Sequence, residues 1–290
     1  MTADTVPQEE THVLSTGSLS LSISHREQDG LFRIAERQNP KRAFLFVSTV
    51  LGRHIPVRPD AHRKVLKALA AGVMPHLGSG PVLVMSYAET AIGLGLGVFD
   101  VLSRKMKDHP MAYLPTTRFS PKGEEPWFTT REEHSHAVDH MIIRPAFAGM
   151  TCAQDSTLVL VDDETTTGRT FAGLAEGLAR VGETPARVVL VTLTDWSNGE
   201  SLTSVQNIFP GAIVETVSLL AGRYTWEPAP GMAPRPLPPG CTPCCAPWSP
   251  SPQVPFAVPR SGIEARTHTG ERRAWREYGS GSLIPDIPKD

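Results

Sequence analysis

Short apolar runs alternate with helical patterns over most of the chain. The apolar runs predict strands at 44–50, 82–86, 157–162, 187–194 and 212–217, a weaker strand at 13–23, and another beginning near Tyr113. Apolar residues three and four positions apart predict helices over 60–74, 91–107 and 170–181, the first capped by Asp60. This alternation of strands and helices is typical of a mostly parallel α/β sheet.

Three stretches interrupt this pattern. Residues 1–12 are polar and acidic, which predicts a flexible leader, and residues 115–140 are polar enough to predict a long surface loop. Residues 228–259 contain 12 of the 27 prolines, a density that neither a helix nor a central strand tolerates. We therefore expect one folded domain over 13–226 and a proline-rich, disordered tail over 227–290.

Composition narrows the function classes. The net charge of −2 provides no basic field for nucleic acid, and no apolar run is long enough to cross a membrane. The polar N-terminus does not resemble a signal peptide, and four cysteines are too few for a disulfide framework, so we expect a cytoplasmic protein. Cys241, Cys244 and Cys245 lack a second pair at zinc-ribbon spacing, which favours unstructured thiols.

The segment 157–170, TLVLVDDETTTGRT, carries the clearest chemistry. Its strand delivers Asp162 and Asp163 to the sheet edge where ligands bind in α/β folds. The following threonines and Gly168 precede a helix, whose free N–H groups suit a phosphate, while the carboxylates suit vicinal sugar hydroxyls. An acidic turn that only caps a helix is the alternative. A P-loop is excluded because no lysine occurs between 123 and 287.

This segment resembles the motif that binds 5-phosphoribosyl 1-diphosphate (PRPP) in type I phosphoribosyltransferases. The resemblance implies that Asp162 and Asp163 are catalytic and hold the ribose hydroxyls. It implies a 5-phosphate loop made of Glu164, Thr165, Thr166, Thr167, Gly168, Arg169 and Thr170. Glu164 departs from the apolar residue usual in the family, and it either tunes the site or faces solvent. The implied fold is a Rossmann-like, mostly parallel sheet with a small hood from 13–58 and 195–225.

Two further segments extend the resemblance. After the strand at 82–86, the family's diphosphate-binding loop corresponds to Ser86, Tyr87, Ala88, Glu89 and Thr90, although an ordinary strand-to-helix turn fits as well. The loop 115–144, which ends in EEHSHAVDHMIIRP, corresponds to the mobile loop that closes over the substrate, with Glu133, His134, His136 and Arg144 as its candidate residues. A solvated charged loop, or a zinc site using His136 and His140, are the alternatives.

Three segments make the resemblance more specific: NPKRAFLFVSTVLGRHIPVRP, AETAIGLG and EEHSHAVDH. They resemble a bacterial phosphoribosyltransferase subfamily found in tellurium-resistance-associated biosynthetic operons. Its members often carry a C-terminal TRSP domain, which is not recognisable in this chain, so a separate TRSP-type protein is an implied partner. Homodimers are common in the family. Lys41, Arg42, Arg53 and His54 bring positive charge toward an anionic substrate or are ordinary surface residues.

The resemblance implies a phosphoribosyltransferase that moves ribose 5-phosphate to or from a nitrogenous base, with diphosphate as the leaving group. Mg²⁺ would be held mainly through the substrate, because no direct side-chain cluster for a metal is expected. A PRPP-binding regulatory module without turnover, or a subunit of a biosynthetic assembly, is the alternative.

Overall fold

The computed structural model describes residues 7–37, 42–118, 125–130, 140–143 and 155–229, and the backbone of four short strands between 265 and 285. The chain divides into two compact units, residues 1–235 and 236–290. The first unit contains, in chain order, β1 (Gln8–Leu14), β2 (Gly17–Arg26), β3 (Phe32–Glu36), β4 (Phe44–Ser48), α1 (Pro59–Val73), a 3-10 turn (Met74–His76), β5 (Val82–Ser86), α2 (Ile92–Lys105), β6 (Met111–Pro115), β7 (Pro126–Thr130), β8 (His140–Ile143), β9 (Thr157–Val161), β10 (Glu164–Thr165), α3 (Arg169–Arg180), β11 (Arg187–Asp195), α4 (Glu200–Ile208) and β12 (Ile213–Pro228).

The first unit is built on an eight-stranded sheet. Its order is β1-β2-β12-β11-β9-β5-β6, and β10 pairs with the end of β11. The strands from β12 to β6 in this order run parallel, so their carboxyl ends meet at one edge. The second half of β12 continues into an antiparallel pairing with β2, which pairs with β1. The mostly parallel α/β fold expected from the sequence is confirmed.

Helices cover both faces of the sheet. In β9, Val159 and Val161 belong to the core shared with α1 and α2, whereas Leu158 and Leu160 belong to the core shared with α3 and α4. Successive side chains of a strand point to opposite faces, so a central strand needs apolar residues at every position. All five residues of β9 are buried, which explains why its unbroken apolar run predicts a strand so clearly.

The glycines of α2 allow this helix to pack closely. A methyl group on Gly95 would lie 2.4 Å from the Cβ of Ser86, and one on Gly97 would lie 2.5 Å from a methyl carbon of Leu66. The glycines cost helix propensity, about 1 kcal/mol each relative to alanine. Close packing of α2 against β5 and α1 offsets that cost, and a larger side chain at these positions would prevent it.

The start of the chain and of α1 differ from expectation. β1 begins at Gln8, so residues 8–12, expected in the leader, pair with β2. Helix α1 has Arg58 at its N-cap position, without a side-chain cap, and Asp60 lies inside the first turn. The prediction of Asp60 as the cap was therefore wrong. Pro59 decides the boundary, because proline is well suited to the first helical position.

The polar stretch 115–140 is not wholly a loop, and this prediction was wrong in part. β7 lies inside this stretch and pairs antiparallel with β8, which begins at the last residue of the stretch, His140. Phe128 and Ile142 of the hairpin are buried in the core beside α3, and Phe128 packs against Gly177. The surrounding charged residues concealed these two apolar anchors in the sequence.

The second unit contains two short antiparallel pairs. β13 (Ala265–Arg266) pairs with β14 (Arg272–Arg273), and β15 (Trp275–Tyr278) pairs with β16 (Ser282–Pro285). These strands lie inside the stretch expected to be a disordered tail. Cys241, Cys244 and Cys245 lie outside the described residues.

Candidate functional site

A polar cavity of about 520 Å³ opens where the parallel strands end. The segments that follow β5, β6 and β9 all contribute to it, as do Arg37, which follows β3, and Arg42, which precedes β4. Its lining consists of Arg37, Arg42, Tyr87, Ala88, Thr90, Arg118, Asp162, Asp163, Glu164, Thr165, Thr166, Thr167, Gly168 and Thr170. Two segments that the sequence singled out separately, 86–90 and 162–170, therefore meet in one cavity.

Asp162 and Asp163 lie side by side at the end of β9. Asp162 is only 8% exposed, and its Oδ1 accepts the backbone N–H of Asp163 at 2.9 Å. The backbone N–H of Asp162 donates to the carbonyl of Val191 on β11, which fixes the turn to the sheet. Burial raises the pKa of Asp163, and hydrogen bonding with Asp162 and, to a smaller extent, the nearby His54 partly oppose that rise. The result is a pair of fixed acceptors at the cavity wall.

The loop after the two acids is held in place by a close approach to α4. Gly168 has a φ of +70°, and a methyl group there would lie 2.4 Å from the Cα of Ser201. The hydroxyl of Thr165 contacts that of the same serine at 3.1 Å. Helix α3 begins directly after Gly168, so its free N–H groups face the loop. This arrangement suits a phosphate because the helix N-terminus carries partial positive charge.

Three residues of the loop after β5 line the same cavity: Tyr87, Ala88 and Thr90. The backbone N–H of Ala88 donates to the Thr116 hydroxyl at 2.8 Å, and the peptide bond between Ala88 and Glu89 is cis. Ser86 is fully buried, and its hydroxyl contacts the phenol of Tyr113 at 2.6 Å. Ser86 and Glu89 are not among the lining residues, and the backbone carbonyl of Glu89 accepts from Arg53.

Glu164 has a partner that the sequence did not indicate. Its Oε1 accepts from Nη2 of Arg42 at 2.9 Å, although the two residues are 122 positions apart. Burial raises the pKa of Glu164, while the Arg42 guanidinium partly lowers it. Glu164, which stands where the family usually has an apolar residue, is thus paired with an arginine and does not simply face solvent.

Other predicted positions have three different outcomes. Arg169 is exposed and does not line the cavity, so its contact with a phosphate stays a prediction. The expected mobile-loop residues Glu133, His134, His136 and Arg144 lie outside the described residues. His140, considered for zinc, is buried, and its Nδ1 contacts the Thr116 hydroxyl at 3.0 Å.

Sequence reasoning missed Arg37, Arg118 and Thr116. The two arginines line the cavity, and Thr116 is buried beneath the loop after β5. Arg118 and Thr116 follow β6 as Asp162 follows β9. Their position after a parallel strand was thus the signal that could have found them.

The carboxylates fit a hard cation that is shared with a substrate. Within the described part of the chain, no group of three or more His, Cys, Asp or Glu residues could hold a metal ion. Mg²⁺ commonly takes one or two carboxylates and completes its shell with water and substrate phosphates. Asp162 and Asp163 supply this number of oxygen ligands at the cavity wall.

No helix among the described residues is both long and apolar enough to span a membrane.

Comparison with known proteins gives one family match. The sequence model of a family described as "Phosphoribosyl transferase" matches residues 31–223, and no curated protein matches the chain. Similar solved structures include adenine phosphoribosyltransferases from Trypanosoma brucei (13% identity, TM-score 0.43, covering 65% of this chain and 76% of that one) and Saccharomyces cerevisiae (11%, 0.43, 65% and 94%). An orotate phosphoribosyltransferase from Aeropyrum pernix is also similar (16%, 0.38, 65% and 89%).

Proposed function

Because the chain belongs to the phosphoribosyltransferase family and is a transferase enzyme, we propose that it binds PRPP with Mg²⁺ and transfers ribose 5-phosphate to a nitrogen nucleophile. One observation carries the proposal. The two acids after β9, the threonine loop before α3 and the loop after β5 all line one cavity of about 520 Å³.

Each part of PRPP has a chemically suitable counterpart in this cavity. Asp162 and Asp163 accept hydrogen bonds from the ribose 2- and 3-hydroxyls, and Thr166, Thr167 and Thr170 surround the 5-phosphate with the N-terminus of α3. Tyr87, Ala88 and Thr90 face the diphosphate. Binding energy from the 5-phosphate, remote from the reacting carbon, then helps to position C1.

The reaction is a displacement at C1 of the ribose. The nitrogen lone pair forms the new C–N bond while the C1–O bond breaks, and the diphosphate leaves with the bonding electrons. The nitrogen afterwards releases its proton to solvent or to a base. Positive charge develops on the sugar in the transition state, and the carboxylates of Asp162 and Asp163 stabilise it electrostatically.

Asp162 and Asp163 are the residues that would share a Mg²⁺ ion with the substrate. When bound, the ion neutralises charge on the leaving diphosphate. Asp162 and Asp163 also orient the ribose, so that the bound substrate is held in one pose. The buried position of Asp162 fixes its carboxylate before substrate arrives, so little reorganisation is needed during reaction.

We also propose that the chain belongs to the phosphoribosyltransferase subfamily encoded in tellurium-resistance-associated operons, on the basis of the sequence segments named above. Its proposed location is the cytoplasm. Its proposed acceptor is a nitrogenous base, and the transfer can run in either direction. A homodimer and a separate TRSP-type protein are the partners proposed. Glu133, His134, His136 and Arg144 are proposed to close over the bound substrate.

Calorimetry with PRPP and Mg²⁺, followed by a diphosphate-release assay with a panel of bases, tests the proposal. We expect saturable PRPP binding and diphosphate release with at least one base. Binding without release for every base would favour a regulatory module instead. The absence of PRPP binding would contradict both functions.

A further inference from the structure

Three arginines line the cavity in addition to the residues assigned to PRPP: Arg37, Arg42 and Arg118. The sugar and the 5-phosphate already have partners in the acids and the threonine loop. The arginines are therefore candidates to contact the diphosphate or the acceptor. Their positions in the fold decide between these two roles.

Arg118 lies on the side of the diphosphate loop. It follows β6, the neighbour of β5, and its guanidinium lies 3.5 Å from Nε2 of His140. The other ring nitrogen of His140 contacts Thr116, which holds the backbone of Ala88. This chain of contacts places Arg118 beside the loop after β5.

Arg37 and Arg42 lie on the opposite side, after the end of β3 and before the start of β4. The backbone N–H of Arg37 donates to the carbonyl of Ala43 at 2.8 Å, so the two arginines belong to the same end of this strand pair. The hairpin packs on the ends of β11 and β12, where Phe46 stacks on Trp196 with ring centroids 4.7 Å apart. These strands lie on the other side of β9 from β5 and β6.

Arg42 is fixed before any ligand binds. Its guanidinium carbon lies 4.9 Å from the ring centre of Phe44, 5.6 Å from that of Phe46 and 5.8 Å from that of Tyr224. Its Nη2 donates to Glu164. Aromatic rings and a carboxylate together hold the planar group in one orientation, which lowers the entropy cost of binding an anion.

Two guanidinium groups lie where β3 ends and β4 begins. Glu164 pairs with that of Arg42, and no ion pair of Arg37 is found in the part of the chain that the structure describes. An exposed arginine at a cavity edge presents a planar fork of donors, which matches a carboxylate in two parallel hydrogen bonds. It also offsets the negative charge that the diphosphate and the two aspartates create near C1.

We infer that Arg37 and Arg42 form the acceptor subsite and select a nitrogen heterocycle that carries a carboxylate. This inference rests on the proposed function. The carboxylate serves recognition only, and a ring nitrogen remains the nucleophile. The β3–β4 hairpin is then the element that determines specificity, and Arg118 remains with the diphosphate.

The test uses matched pairs of probes, orotate against uracil and nicotinate against nicotinamide. Binding of each probe is measured by calorimetry on the full chain in the presence of Mg²⁺, ribose 5-phosphate and diphosphate. We expect the carboxylated member of at least one pair to bind about tenfold tighter, the usual effect of a charged bidentate contact. The Arg37→Gln variant should reduce that preference to about twofold or less.

Arg33→Gln is the matched control, because Arg33 is an exposed arginine on β3 outside the cavity lining. It should leave the preference unchanged. Arg42→Lys keeps the charge opposite Glu164 but loses the planar fork, and it should reduce the preference only in part. A melting curve for each variant separates loss of binding from loss of folding.

Equal binding within both pairs, preference for the uncharged members, no binding of any probe, or a preference that survives Arg37→Gln would each overturn the inference. PRPP binding measured on the same preparation keeps the two claims apart. If PRPP binds and no carboxylate preference is found, only the acceptor inference fails. If PRPP does not bind, the proposed function fails first.

Discussion

The hydroxyl of Tyr87 donates a hydrogen bond to the backbone carbonyl of Thr170, and this contact joins the loop after β5 to the start of α3. The two loops are the proposed sites for the diphosphate and for the 5-phosphate. One buried phenol therefore ties the two proposed sites to each other.

Tyr87→Phe should separate the two loops slightly. We expect the KM for PRPP to rise about fivefold and the free energy of unfolding to fall by about 1 kcal/mol, the usual contribution of one hydrogen bond. Tyr113→Phe is the control, since its hydroxyl contacts Ser86 and the carbonyl of Ile92 without joining the loops. Steady-state kinetics and thermal melts give both quantities, and an equal rise in KM for the two variants would contradict the linking role.

Asp162→Asn should reduce PRPP-dependent activity by about a hundredfold or more while the fold persists, because the charge that stabilises the cationic sugar is lost. The matched control is Asp100→Asn on α2, where the carboxylate pairs with exposed Arg104. Diphosphate release and circular dichroism give the two readouts. Unchanged turnover in the Asp162 variant would refute its assignment to the ribose.

Gly168→Ala should destabilise the protein by about 1–3 kcal/mol and abolish PRPP binding, because the added methyl group meets the backbone of Ser201 at a positive φ. Gly173→Ala, inside the helix that follows Gly168, provides the contrast. A methyl group at Gly173 meets nothing within 4 Å, so that change should stabilise α3 by about 0.5–1 kcal/mol. Chemical denaturation measures both, and destabilisation by both changes would point to a general sensitivity of α3.

Asp163 should make stability fall as pH rises. Burial raises the pKa of its carboxyl above the unfolded value, so the native state holds the proton more tightly. The ionised form therefore costs stability above the native pKa, and this cost disappears below the unfolded pKa of about 3.9. Asp163→Asn should raise the melting temperature near pH 7 but not near pH 3. A stabilisation that is independent of pH would show that ionisation is not its cause.

Thr116 should act as a positioning residue for the loop after β5. Its buried hydroxyl holds the N–H of Ala88 and contacts His140, so Thr116→Val leaves two polar groups without their partner. We expect the KM for PRPP to rise about tenfold with a smaller change in kcat, and Thr116→Ser to restore most of the affinity. A serine variant as impaired as the valine variant would indicate a packing role for the methyl group instead.

The sequence by itself determined the central sheet and predicted the two acids and the threonine loop that line the cavity. β5 and β9 are buried on both faces, so an unbroken apolar run was needed and was visible. Asp162 to Thr170 are contiguous, and a motif of contiguous residues needs no tertiary information to be read.

Only the tertiary structure decided the remaining contacts. Arg42 and Glu164 are 122 positions apart, and Ala88 and Thr116 are 28 apart, so no local pattern links them. The anchors Phe128 and Ile142 were concealed by charged neighbours, because burial of a two-stranded hairpin depends on α3 beneath it. The side of the cavity lined by Arg42 depends on one such distant pair, so its chemistry became visible only in the folded chain.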